Sequence, residues 1–140
     1  MILAAEGRPA EALKCLQSII GVAPEHEEAL AWAAALSEQL GTLELAEDYW
    51  RHVLNVNPHF SNYHMGLARL LLLHEHWEEA SREAKTALQL NPTRLDARKL
   101  LITCYLRLKN REGLQLEWEK YQGFDPPDLE EVRKLIKQLQ

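Results

Sequence analysis

Histidine is the residue type in this sequence that most invites chemistry. The 140-residue chain holds six, and His74-x-His76, with His64 ten residues earlier, offers imidazoles of the kind that ligate zinc. Such a site needs three or four ligands converging at about 2.0–2.3 Å, held in place by further partners. His64 and His74 fall on one predicted helix, which separates them by roughly 15 Å along its axis at 1.5 Å per residue. Without another segment they cannot share an ion. The expectation is no metal site, with histidines spent on surfaces and helix ends.

Other reactive arrangements are also missing from the sequence. None of Ser18, Ser37, Ser61 and Ser81 sits in a Gly-x-Ser-x-Gly turn, and no glycine-rich loop precedes Lys-Ser or Lys-Thr. The carboxylate pairs Glu27-Glu28, Glu78-Glu79 and Glu130-Glu131 fall near predicted first helical turns, where the helix dipole favours negative charge. Cys15 and Cys104 form no Cys-x-x-Cys pair and are expected to be small buried hydrophobes. The chain therefore reads as a non-enzyme with no cofactor.

Charge and composition narrow the class further. Apolar residues make up 46% and charged residues 26%, as in globular proteins. No window is apolar for the length of a membrane span, and Met1 to Leu13 lacks the basic-then-apolar order of a signal peptide. The net charge of −5 argues against nucleic acid as a partner. Residues 1–60 carry nine acids and three bases, whereas residues 94–140 carry eight acids and ten bases. Such a gradient is expected to be ordinary solvated surface, with head-to-tail association of the opposite-signed ends as the alternative.

The elements that position these residues are set by a proline returning every 34 residues: Pro24, Pro58, Pro92 and Pro126. Proline lacks an N–H and clashes with the preceding turn, so each one ends a helix. Other columns keep the same interval. Ala12, Ala46, Ala80 and Leu114 lie twelve residues before the prolines; Leu16, Trp50, Ala84 and Trp118 lie eight before. Ile19, Val53, Ala87 and Tyr121 lie five before. The three offsets share one helical stripe, which must be buried. Gly7 and Gly41 close an upstream helix in each unit, and Glu75 and Lys109, in the same column, call for a different turn. The predicted helices are 10–22, 28–40, 44–56, 62–74, 78–90, 96–108, 112–122 and 129–139. A period of this length denotes stacked supersecondary units.

Ala46-x3-Trp50…Pro58 and Ala80-x3-Ala84…Pro92 resemble the tetratricopeptide repeat family. The resemblance implies an all-α solenoid of antiparallel helix pairs. It divides residues 1–140 into a partial repeat 1–26, repeats 27–60, 61–94 and 95–128, and a capping helix 129–140. The first helices depart from the family's large-small-aromatic pattern, with Leu30, His64 and Arg98 at the leading position. Residues 1–6 fit only the end of a first helix. Helix 10–22 then needs cover for Leu13, Leu16 and Ile20 from a longer array or a neighbouring molecule. Leu129, Val132, Ile136 and Leu139 form the stripe that seals the last repeat.

In this family the first helices of successive units line a groove for extended or helical peptides. The corresponding residues here are Asn62, Met65, Arg69, Leu72 and Leu73, then Lys99, Thr103, Leu106 and Arg107. Met65, Leu72, Leu73 and Leu106 are expected to form an apolar floor beside Arg69, Lys99 and Arg107. The partner implied is a protein segment with an acidic group and a hydrophobic anchor. Self-association through the open first repeat is the alternative, as is service as an accessory domain of a larger multidomain protein. Relatives that grip paired-carboxylate chaperone tails use lysine, asparagine and arginine at positions matching Ala31, Ala35, Gly66, Asp96 and Leu100. None of the five matches, so that clamp is not expected.

Overall fold

The computed structural model describes residues 8–139, and these contain eight helices. They are α1 Pro9–Val22, α2 Glu27–Gln39, α3 Leu43–Val56, α4 Ser61–Leu73, α5 Trp77–Leu90, α6 Leu95–Leu108, α7 Arg111–Gly123 and α8 Leu129–Leu139. Predicted and observed boundaries agree to within about one residue. Gly7 and residues 1–6 lie outside the described residues. Packing divides the chain into two compact units, residues 1–67 and 68–140, with the division inside α4.

In the first unit α1, α2 and α3 pack through Ala12, Leu13 and Leu16 of α1 and Ala29, Ala33 and Leu36 of α2, with Ile20, Leu45 and Tyr49 against them. Leu13 and Leu16 thus find cover inside the unit, contrary to expectation. A different face of α1 remains open. Ile19 is 41% exposed although Val53, Ala87 and Tyr121 in the same column are buried, and Cys15 is exposed rather than buried. The alanine column behaves as predicted: Ala12, Ala46 and Ala80 are fully buried. Methyl-sized side chains there let helices approach closely.

Two polar staples lock this unit. The Glu27 carboxylate accepts from Asn57 Nδ2 (2.9 Å) and from the Tyr63 hydroxyl (2.8 Å). Those hydrogen bonds, Asn57's foremost, hold the Glu27 carboxyl below its usual range. Burial, then the bond to Glu27, pushes the Tyr63 phenol up to about 12. The Trp50 indole N–H donates to Glu38 Oε1 at 2.6 Å, fixing a ring that lies against Gly66.

In the second unit α5 packs on α6, α6 on α7, and α8 on α6. Ala84, Ala87, Ala97, Leu101, Ile102, Tyr121 and Val132 are among its buried residues. Cys104 is buried as predicted, and burial pushes its thiol up to about 12.

The turns inside the hairpins correct one expectation. Gly41 (φ 81°), Glu75 (φ 62°) and Lys109 (φ 57°) all take the left-handed conformation. They share one hydrogen-bond pattern. The left-handed residue's N–H donates three residues back and the next N–H five back: Glu75 to Leu72 and His76 to Leu71, Lys109 to Leu106 and Asn110 to Tyr105. Closure of the helix end dictates the backbone whatever side chain is present. A side chain in this region costs roughly 1–2 kcal/mol, and glycine's extra unfolded-state freedom offsets about 0.5–1. Lys109→Gly should therefore raise stability by about 0.5–1 kcal/mol in urea unfolding. An unchanged or lower midpoint would show that Lys109 makes a compensating interaction there.

Candidate interaction surface

Of the residues expected to face a ligand, Asn62 and Met65 belong to the first unit. Asn62 is exposed, and Met65 is buried at 1% exposure. The other seven lie in the second unit, on the end of α4 and on α6. Leu72 is half-buried and Leu73 is 64% exposed, while Leu106 is buried at 7%. Leu72 and Leu73 are thus the apolar positions that solvent reaches. The periodicity explains this: Leu70 and Leu71 of the four-leucine run are buried, and a helix cannot turn four successive residues to one side.

The basic residues divide into two kinds. Arg69 and Arg107 are exposed. Arg69 acts electrostatically on Asp96, whose carboxyl lies below its usual range mainly through its hydrogen bond from Arg94. The Arg107 guanidinium lies 5.5 Å from the centre of the Trp77 ring. Such contacts stabilise by about 0.5–1 kcal/mol at exposed sites, and this one spreads the Arg107 side chain over α5. Lys99 is engaged at closer range. Its ammonium donates to Asp128 Oδ2 at 2.7 Å, and the Tyr121 hydroxyl donates to the other oxygen of the same carboxylate. Lys99, then Tyr121, lowers the Asp128 pKa; burial, then Asp128, raises that of Tyr121. Lys99 therefore anchors the turn into α8. The Thr103 hydroxyl donates to the Lys99 carbonyl at 3.1 Å.

Two features were not foreseen from sequence. One is a buried ion pair in the second unit: Arg98 Nη1 donates to Glu117 Oε2 at 3.1 Å and Nη2 to the Pro92 carbonyl at 2.9 Å. His64 in the first unit stands in the same column, and its Nε2 is 2.7 Å from the Pro58 carbonyl. A polar side chain six residues after the proline thus meets that proline's carbonyl in both places. The spacing was present in the sequence as the signal. The other feature is a half-open cleft of about 650 Å³ lined by Tyr105, Leu106, Lys109, Asn110, Arg111, Leu114, Gln115 and Leu139. It joins residues far apart in the chain.

The histidines form no metal centre among the described residues, where no three His, Cys, Asp or Glu side chains gather to hold an ion. The His74 and His76 rings are 6.1 Å apart. Among the same residues, no helix is long and apolar enough to cross a membrane.

Comparisons with known proteins agree with this geometry. The tetratricopeptide repeat model matches residues 3–70, and no curated protein matches the chain. Among solved structures, a crystal structure of MamA is similar over 98% of this chain and 90% of its own, at 15% identity and a TM-score of 0.80. MamA from Desulfovibrio magneticus RS-1 is similar over 88% and 70%, at 17% identity and 0.78. The first TPR of Spaghetti (RPAP3), bound to the HSP90 peptide SRMEEVD, is similar over 76% and 85%, at 18% identity and 0.72. These likenesses establish the fold, an all-α solenoid. The model match over residues 3–70, with the 34-residue proline period and the repeated hairpins, supports the tetratricopeptide repeat family for this chain.

Proposed function

We propose that the chain is a non-enzymatic protein-interaction scaffold, and that its second unit receives a protein segment with an acidic group and a hydrophobic anchor. The repeat bounds 27–60, 61–94 and 95–128, with 129–140 as the cap, belong to this reading. The observation that carries it is Leu73, a large apolar side chain 64% exposed in the column pattern beside Arg69 and Arg107. An apolar anchor flanked by guanidinium groups suits a partner that buries a hydrophobic side chain and presents a carboxylate. Arg69, Leu72, Leu73, Thr103 and Arg107 are the contact residues of this proposal. Leu106 is buried, and Lys99 holds α8 in place through Asp128.

A fluorescence titration with acidic peptides carrying one large apolar residue tests this. Arg69→Glu with Arg107→Glu should weaken binding on the order of tenfold or more, because attraction becomes repulsion. Lys99 is spared in this variant because its removal would release Asp128. Equal affinity in wild type and double variant would overturn the assignment.

The RPAP3 structure holds a peptide ending in acidic residues, but the matching positions here are unsuited to that end. Gly66 is covered by the Trp50 ring, Leu100 is buried and Asp96 is itself an acid. SRMEEVD should therefore show no saturable binding in the same titration.

A further inference from the structure

We propose that the acidic segment bound by the second unit carries a second carboxylate, which Lys137 of α8 receives while Arg107 of α6 receives the first; this rests on the binding reading above and extends it by one helix. Most of α6 is closed. Apart from its end residues Leu95 and Leu108, solvent reaches only Asp96, Lys99, Thr103 and Arg107. These are spaced three and four apart, so they form one stripe along the helix. Because α6 packs against α5, α7 and α8, this opening belongs to the repeat and not to a place in the chain. Arg69 and Leu73 of α4, in the columns of Thr103 and Arg107, are exposed as well.

The same stripe continues onto α8. Glu130, Arg133 and Lys137 follow Asp96, Lys99 and Thr103 by 34 residues. Val132 and Ile136 are buried, as are their equivalents Arg98 and Ile102, so α8 is seated in the same rotation as α6. Arg133 is half-buried, and Glu130 and Lys137 are exposed. The bond from Lys99 to Asp128, at 2.7 Å, joins the two helices where these stripes begin.

Charge divides this face along its length. Its acids lie at the N-terminal end, and each is already met by a base. Asp96 pairs with Arg94 at 2.8 Å, Asp128 with Lys99, and Glu130 with Arg133. Arg133 also lies 5.9 Å from the centre of the Trp118 ring, which holds it toward α7. At the other end stand Arg107 and Lys137, each in the last turn of its helix. The helix dipole favours a base in a last turn. It does not select the side of the helix, and here both bases fall on the open stripe. Two cations on neighbouring helices, with the acids of the face neutralised, complement a partner carrying two carboxylates. Packed helices lie about 8–10 Å apart and an extended chain advances about 3.3 Å per residue, so the carboxylates should be about three residues apart.

Fluorescence titration of the full chain with two probes tests the Lys137 contact. Both are Ser-Gly peptides bearing one leucine and one glutamate, and the second peptide adds another glutamate at the spacing given above. In wild type the added glutamate should strengthen binding about threefold to fivefold, the range of one exposed ion pair. Lys137→Glu should abolish that gain, so that the two-glutamate peptide binds no better than the other, and should leave the one-glutamate affinity unchanged. Lys14→Glu makes the same change of charge at an exposed position of the first unit and should alter neither affinity. Circular dichroism checks that both variants fold. A second glutamate that adds nothing, a gain that survives Lys137→Glu, or an equal loss in Lys14→Glu would each overturn the Lys137 contact and leave the binding reading of Arg69 and Arg107 standing. If neither peptide bound wild type, that reading would fall, and the Lys137 contact with it.

Discussion

Glu117→Leu should lower the unfolding free energy by about 3 kcal/mol or more, the range for removing one member of a buried ion pair. Glu117 and Arg98 are both buried, and the Arg98 guanidinium also lies 5.2 Å from the centre of the Phe124 ring. The Arg98 Nε has no hydrogen-bond partner, so the carboxylate and the Pro92 carbonyl carry the compensation for burying this cation. Without the carboxylate, a charge stays inside the second unit with a single carbonyl to satisfy it. The counterpart is Arg98→Met combined with Glu117→Leu. Replacing a whole buried pair with apolar side chains is often neutral or stabilising. The double variant should therefore recover most of the single variant's loss, less about 1 kcal/mol for the hydrogen bond to Pro92. Urea unfolding of the three proteins closes the cycle. A Glu117→Leu protein as stable as wild type would show that water reaches Arg98 and that the pair is not buried in solution.

That pair also marks where sequence reading stopped. The proline period placed every described helix because a proline terminates a helix locally, and the alanine column identified tight crossings because packing there depends on side-chain size alone. Arg98 with Glu117 and Lys99 with Asp128 are separated by 19 and 29 residues. Their meeting depends on how side chains cross between helices, which periodicity does not encode. Lys99 was read as a ligand contact for this reason. Lys109 and Glu75 failed differently: the demand for a left-handed residue at a helix end outweighs the side-chain preference that would have signalled it. At Ile19 the column was read correctly, but burial of a column requires a neighbouring helix as well as a suitable residue. Of the surface itself, exposed Leu73 was legible from the leucine run. The burial of Met65 and Leu106 was not, because a position on a first helix is open or closed according to its neighbours' bulk.

Bulk of that kind makes Gly66→Ala the second large effect, and its sign is the informative part. Gly66 lies inside α4, where alanine in place of glycine would normally stabilise by about 1 kcal/mol. Here an added Cβ would sit 2.4 Å from Trp50 Cε2, 2.6 Å from Cζ2 and 2.7 Å from Cδ2. These are ring atoms rather than the end of a flexible chain, and Glu38 holds the indole by its N–H. The ring cannot withdraw without losing that bond. Overpacking of this sort costs about 1–3 kcal/mol, and loss of the hydrogen bond adds about 1. Set against the propensity gain, a net loss of about 1–3 kcal/mol is expected. The same columns one repeat later hold the inverse combination, with Ala84 in place of the tryptophan and Leu100 in place of the glycine, both buried. The glycine thus answers the size of Trp50 rather than any backbone requirement. Trp50→Leu should be destabilising alone but should remove the penalty of Gly66→Ala, a coupling that a double-mutant cycle measures directly. If Gly66→Ala instead raised the urea midpoint, the indole would have to pack elsewhere in solution, and the size exchange between these columns would be wrong.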